Sequence, residues 1–258
     1  MTILLRTCGG IGNQLFQSNF ALILAAKFGG VNIYHLHSSN YKRVAHWELE
    51  SLNFLPARNF YFLLLVLRIP RVLTYSKIRK KDFVRIGNVI IADGYFLEKS
   101  NYSLFSRNDI DENLKYLRSL IGIKKRIVKK TLVHIRLGDF FTSNKEKDTF
   151  IYHFLGKIDE RVDIITNEED LLIECINNEY IHRAEKYNII STTNLSSIEL
   201  LRFICQYDNI WYNGSTLLFW GAVLGTSSLN WSLDFPKEHY IVRNCIYLDD
   251  IMKIFREG

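Results

Sequence analysis

The residues best suited to chemistry lie at 131–140, TLVHIRLGDF. Apolar residues run into His134, then Arg136, then Gly138 and Asp139. On a strand alternate side chains share a face, so His134 and Arg136 point the same way. Gly138 lets the chain turn at the strand end, and Asp139 follows at the rim. Strand ends in α/β sheets are where ligands bind. Arg136 would offer there a permanently charged planar fork, suited to a phosphate or a carboxylate. The plain alternative is a strand closed by an ion pair, and these residues alone leave both open.

A second constellation opens the chain. A strand over 3–6 runs into GGIGNQLFQ, residues 9–17, and a mostly buried helix is predicted from Asn13 to Phe28, ended by Gly29-Gly30. Glycines between a strand and a helix, among them Gly10 and Gly12, allow a ligand close to the backbone, with helix N–H groups open to an anion. A dinucleotide fingerprint does not fit. Its third glycine position holds Leu15, and no acidic residue ends the next strand, 31–36. A Walker loop also fails, because no GK[ST] follows. Asn13 and Gln14 can bond polar ligand groups, or they can cap the helix.

Other candidates have ordinary readings beside the functional ones. Asp109 and Asp111 form a DxD, an arrangement that can hold a divalent metal against a nucleotide sugar. Here they adjoin an amphipathic helix expected at 112–121, so helix capping is the reading preferred. His35 and His37 alternate on one strand without a third ligand, which suits a surface pair better than a metal site. Asn167-Glu168 and Ser215-Thr216 follow predicted strands. Ser and Thr at a helix start are ordinary caps and ordinary phosphate ligands.

These groups need a scaffold. The second half reads as βα alternation, with strands at 132–136, 162–166, 188–191 and 209–212. Helices are expected near 149–160, 168–178, 195–206 and 215–224. This is the pattern of a doubly wound parallel sheet. The charged bridge 122–130, GIKKRIVKK, is the candidate boundary. It divides the chain into an N-terminal α/β domain, 1–125, and a C-terminal α/β domain, 126–258. Polar groups at facing edges of two such halves suggest a cleft enzyme.

With 258 residues, 48% of them hydrophobic, the chain can bury a sizeable core. The net charge of +6 favours anionic partners without choosing among them. Its basic residues cluster at 68–85 and 124–130, away from the motifs, and no RNA-binding signature with stacking aromatics is visible. The belt at 68–85 reads by default as a solvated face, with a peripheral contact to anionic lipid as its functional alternative. The scattered cysteines, Cys8, Cys175, Cys205 and Cys245, suggest neither a zinc site nor a disulfide framework. The start lacks the apolar core of a signal peptide. The expectation is a cytoplasmic protein, with the inner membrane face as a peripheral docking place.

Taken together, GGIGNQLFQ, HIRLGDF and STLLFWGA resemble the GDP-fucose-dependent α-1,2-fucosyltransferases, glycosyltransferase family 11. Family members look like GGxGNQ(M/L)FQ, H(I/V)RRGD(Y/F) and NSTFSWWGA, in the same order and spacing. The resemblance implies a GT-B-like pair of Rossmann-like parallel-sheet domains, the first on the acceptor side and the second holding the nucleotide sugar. It implies transfer of fucose from GDP-β-L-fucose to the 2-hydroxyl of a galactose, with inversion and without a metal or other cofactor. By the same resemblance Arg136 binds the diphosphate, Ser215 and Thr216 touch phosphate, and Asn13 lies near the reaction centre. Asp139 is a candidate base, and Gly10, Gly12, Gln14, His134, Asn167 and Glu168 complete the donor-binding set. This chain departs from the pattern at Leu137, which replaces the family's second Arg, and at Gly214, which separates Asn213 from Ser215. Asn167 replaces the carboxylate that reads guanine. A related GDP-sugar transferase and a non-catalytic nucleotide or nucleic-acid binding module are the alternatives.

Overall fold

The computed structural model describes residues 1–7, 9–29, 31–37, 55–56, 83–92, 94–124, 130–137, 141, 143–179, 181–231 and 240–257. The chain forms two compact units, Met1–Leu120 with Lys253–Gly258, and Ile121–Met252. It is an α/β protein with a Rossmann-like sheet in each unit.

In the first unit, β1 (Thr2–Thr7) leads into α1 (Ile11–Phe28) and then β2 (Asn32–His37). The short β3 (Leu55–Pro56), β4 (Phe83–Ile86) and β5 (Val89–Ala92) complete a five-stranded sheet in the order β3-β2-β1-β5-β4. All neighbours are parallel except β4, which forms an antiparallel hairpin with β5. Neither β4 nor this hairpin was expected from the sequence, because a four-residue edge strand has too little periodicity to read. Apolar side chains recur along α1 on nearly every side, and it is correspondingly buried. Phe20 stacks on Phe96 with ring centroids 4.2 Å apart, over Ile3, Leu5 and Ile90 of the sheet. Gly29, at φ +61°, ends the helix in a backbone region that favours glycine.

After the single-turn α2 (Lys99–Tyr102) comes α3 (Arg107–Ile121), which begins five residues before the expected helix. The reason is a capping box. Ser106 Oγ accepts from the Asp109 N–H, and the Asp109 carboxylate accepts from the Ser106 N–H at 2.8 Å.

The second unit builds a sheet in the order β10-β9-β6-β7-β8, all parallel. Its strands are β6 (Thr131–Ile135), β7 (Val162–Thr166), β8 (Tyr187–Ile189), β9 (Asn209–Trp211) and β10 (Ser228–Asn230). Its helices are α4 (Asn144–Leu155), α5 (Glu169–Glu179), α6 (Ser197–Ile204), α7 (Thr216–Gly225) and α8 (Tyr240–Glu257). α4 lies five residues earlier than its expected span because Ser143 caps it, accepting from the Glu146 N–H. The core packs Val133, Ile135 and Ile164 against Phe150, Phe154 and Leu172. A carboxylate, Asp163, is buried on β7 but satisfied: Tyr207 donates to it at 2.8 Å and Asn188 at 2.7 Å.

The tail of α8 belongs to the first unit. There the Phe255 ring meets Tyr102 edge-on at 5.1 Å, and Arg107 donates to the Ile254 carbonyl at 3.0 Å.

Candidate functional site

Strand order decides where ligands sit. In a doubly wound sheet the crevice opens where the order reverses, beyond the carboxyl ends of the strands flanking the first one. In the first unit that point lies between β1 and β5, and in the second between β6 and β9. The glycine-rich turn follows β1. Arg136 follows β6, and the Ser215-Thr216 turn follows β9. Both motif-bearing regions therefore lie at the reversal point of their own sheet.

In the first unit the turn is pinned by buried amides. Gln14 donates from Nε2 to the Gly9 carbonyl at 2.8 Å, and Gln17 donates to the Gly94 carbonyl, just past β5, at 3.1 Å. Gln17 thus ties α1 to the segment just past β5, a role that its place in the sequence did not signal. Gly9 adopts φ +80°, and a Cβ there would come within 2.7 Å of the Asn13 amide nitrogen. The left-handed backbone demands glycine there. Asn13 is half-buried in the first turn of α1. Gly10 and Gly12 start α1, which has neither a side-chain cap nor an acidic residue in its first turn.

In the second unit the strand ends are joined. Asn213, fully buried, accepts from the Arg136 N–H at 3.1 Å and donates to the Arg136 carbonyl at 2.7 Å. Asn167 accepts from the Leu137 N–H at 3.0 Å. The carboxylate of Glu168 takes both its close contacts from Lys147, at 2.8 and 2.7 Å. Ser215 begins α7 but caps none of its N–H groups, and Thr216 follows as its first residue. Ser143, Ser196 and Ser106 do cap their helices. The open N-termini of α1 and α7 thus fall at the two reversal points, and an uncapped helix start can receive an anion.

His134 is on β6 with its Nδ1 buried and without a hydrogen-bond partner among the described residues. Burial pushes its imidazole down to about 3, with the Arg136 charge adding to the effect. It is a neutral group beside the Arg136 charge.

The remaining candidates resolve unevenly. Asp109 closes the capping box, and its carboxyl is held below its usual range by the hydrogen bonds to Ser106. Asp111 pairs with Arg107 at 2.9 Å. Both carboxylates of the DxD are thus engaged within α3. His35 and His37 occupy β2 opposite Leu5 and Thr7. Asp139 and Gly138 lie outside the described residues, as does the basic belt apart from Arg85, whose guanidinium sits over the Phe28 ring. The glycine of the third motif, Gly221, faces α6: a Cβ there would meet Ile204. Among the described residues no helix is long and apolar enough to cross a membrane.

No family model and no curated protein matches the chain. Among solved structures it is similar to the E. coli heptosyltransferase WaaC with ADP, at 8% identity over 100% of both chains and a TM-score of 0.41. WaaG, a glycosyltransferase involved in lipopolysaccharide biosynthesis, matches at 10% identity over 99% of this chain and 90% of its own, with a TM-score of 0.32. Shikimate dehydrogenase of Mycobacterium tuberculosis matches at 8% identity, 100% and 94% coverage and a TM-score of 0.27. At such scores these likenesses carry no argument about what the chain does.

Proposed function

We propose that this chain is an inverting glycosyltransferase that moves L-fucose from GDP-β-L-fucose to the 2-hydroxyl of a galactose in a surface glycan. The observation that carries the reading is the union of Arg136 with the Ser215-Thr216 turn. Asn213 bonds the backbone of one and lies two residues before the other, at the reversal point of the sheet.

In this reading the acceptor hydroxyl attacks the fucose anomeric carbon as its bond to the β-phosphate oxygen breaks. Negative charge then gathers on the departing GDP. The Arg136 fork, the Ser215 and Thr216 hydroxyls and the open α7 N-terminus are donors of the kind that stabilises such charge. With these donors the reaction needs no metal, and the DxD carboxylates already serve α3. Asn13 is the group proposed to order the reacting sugars, and Asp139 the one proposed to take the hydroxyl proton. The work would be done at the cytoplasmic membrane face.

A second reading, a related transferase with another nucleotide sugar, is favoured by one detail. The Asn167 oxygen already accepts from Leu137, and Glu168 faces Lys147, so neither offers guanine an uncommitted carboxylate. A donor panel decides: GDP-fucose, GDP-mannose, UDP-galactose and UDP-N-acetylglucosamine, each with a galactoside acceptor. The first reading expects turnover of GDP-fucose alone. Turnover of GDP-mannose or of a UDP sugar in its place supports the second, and turnover of none of the four ends both. Chelator should leave the activity intact.

A further inference from the structure

The β6 ladder ends just before Arg136. It stops at Val133 on the β9 side and at Ile135 on the β7 side. A strand end without a ladder frays, because its N–H and C=O groups turn to water. Here the next residues of the flanking strands intervene with side chains. Asn213, past the end of β9, both accepts from and donates to the Arg136 backbone, at 3.1 and 2.7 Å. Asn167, past the end of β7, accepts from the Leu137 N–H at 3.0 Å. A side-chain amide offers the same donor and acceptor as a peptide group, so two of them can prolong a ladder on either side.

Asn213 is suited to this by its surroundings. It is fully buried, and Gly214 beside it turns through φ +82° with the Ile241 carbonyl and Asn244 close by. The glycine that separates Asn213 from Ser215 therefore lets the asparagine face β6 while the next residues open α7.

We propose that Asn213 and Asn167 are positioning residues: they extend β6 by side-chain amides and hold Arg136 in place for the diphosphate. The role given to Arg136 rests on the function proposed above; the clamp on its backbone does not. Asn167 accordingly acts through the Arg136–Leu137 backbone rather than by reading the base.

The test compares Asn213→Ala, Asn167→Ala, Asn167→Asp, Arg136→Ala and the double variant Asn213→Ala with Arg136→Ala. Amide hydrogen exchange reads the clamp, and calorimetric titration with inorganic pyrophosphate reads the anion site. Exchange at Arg136 and Leu137 should quicken in Asn213→Ala, and exchange at Leu137 should quicken in Asn167→Ala. Asn167→Asp keeps the acceptor and should keep Leu137 protected. A misplaced Arg136 fork no longer meets the anion with its planar geometry, so pyrophosphate affinity in Asn213→Ala should fall as far as in Arg136→Ala. The double variant should bind no more weakly than either single one. Unchanged exchange in the alanine variants, or losses that add in the double variant, overturns the proposal. Should Asn213→Ala fail to fold, the exposed Asn167 pair decides at Leu137. If Arg136→Ala leaves pyrophosphate affinity intact, the reading of Arg136 fails, while exchange still judges the clamp.

Discussion

Arg136 leaves β6 with its backbone fixed by Asn213, two residues after an imidazole that burial keeps neutral. In the function proposed, its guanidinium meets charge that grows only as the sugar–phosphate bond breaks. A contact that strengthens in the transition state lowers the barrier. Removing such a donor costs on the order of 100- to 1000-fold in rate. Arg136→Ala and Arg136→Lys should both lose turnover on that scale, since lysine keeps the charge but not the planar fork. Melting temperature should barely change. Near-normal turnover in Arg136→Lys would return Arg136 to a structural ion-pair role. His134 makes a separate statement about pH. Its folded pKa, about 3, lies below the ordinary 6.5, so the unfolded chain binds the extra proton. The stability it contributes is complete above pH 6.5 and is lost as pH falls toward 3. The loss is up to about 1.4 kcal/mol for each pH unit in that window. Denaturant melts at pH 7 and pH 5 should therefore show a smaller pH effect in His134→Asn than in the parent chain. Equal pH effects would remove the imidazole from the account.

At the scale of elements, the motifs mix ligand-facing and packing duties. Gly221 stands in the third motif beside Ser215 and Thr216, yet its neighbour is Ile204 of α6. A Cβ there would come within 2.1 Å of the Ile204 side chain, and one at Gly225 within 2.7 Å of the Cys205 carbonyl. Overpacking typically costs 1–3 kcal/mol, roughly, and a backbone neighbour cannot swing aside. Gly225→Ala should therefore lower stability in urea melts more than Gly221→Ala, and an equal or reversed order would refute the packing argument. The DxD divides its carboxylates in a similar way. Asp109→Ala should lower stability through loss of its half of the α3 capping box, leaving Ser106 to cap the helix. Its activity should be unchanged by chelator or manganese. Manganese-dependent activity in the parent chain would restore the metal reading.

At the scale of the molecule, α8 carries the chain from the second unit back into the first. Phe255 is buried against Tyr102, which itself packs edge-on against Phe20 of α1. Truncating a buried phenylalanine costs ~3–5 kcal/mol. Phe255→Ala should raise amide exchange across α2, α3 and α1 while leaving β6 and β7 protected. Faster exchange confined to the last turn of α8 would show that the tail is not part of that core.

Much of the fold was readable along the chain because it is local. Strand and helix periods, the glycine turn after β1 and the βα alternation of the second half are set by residues a few positions apart. The α/β class with Rossmann-like sheets followed from them. The helix starts at Ser106 and Ser143 are not legible along the chain, because capping polar residues resemble loop residues until their hydrogen bonds are formed. Strand order is a different matter. That β6 lies between β7 and β9, and β1 between β2 and β5, depends on pairings across long stretches of chain, and those pairings create the reversal points. The same holds for the amides. Asparagine can cap, ligate or brace with equal ease, and its chemistry alone does not choose. Asn213 and Asn167 brace because the β6 ladder ends at Val133 and Ile135, and the tertiary arrangement brings these two side chains to the Arg136 and Leu137 backbone.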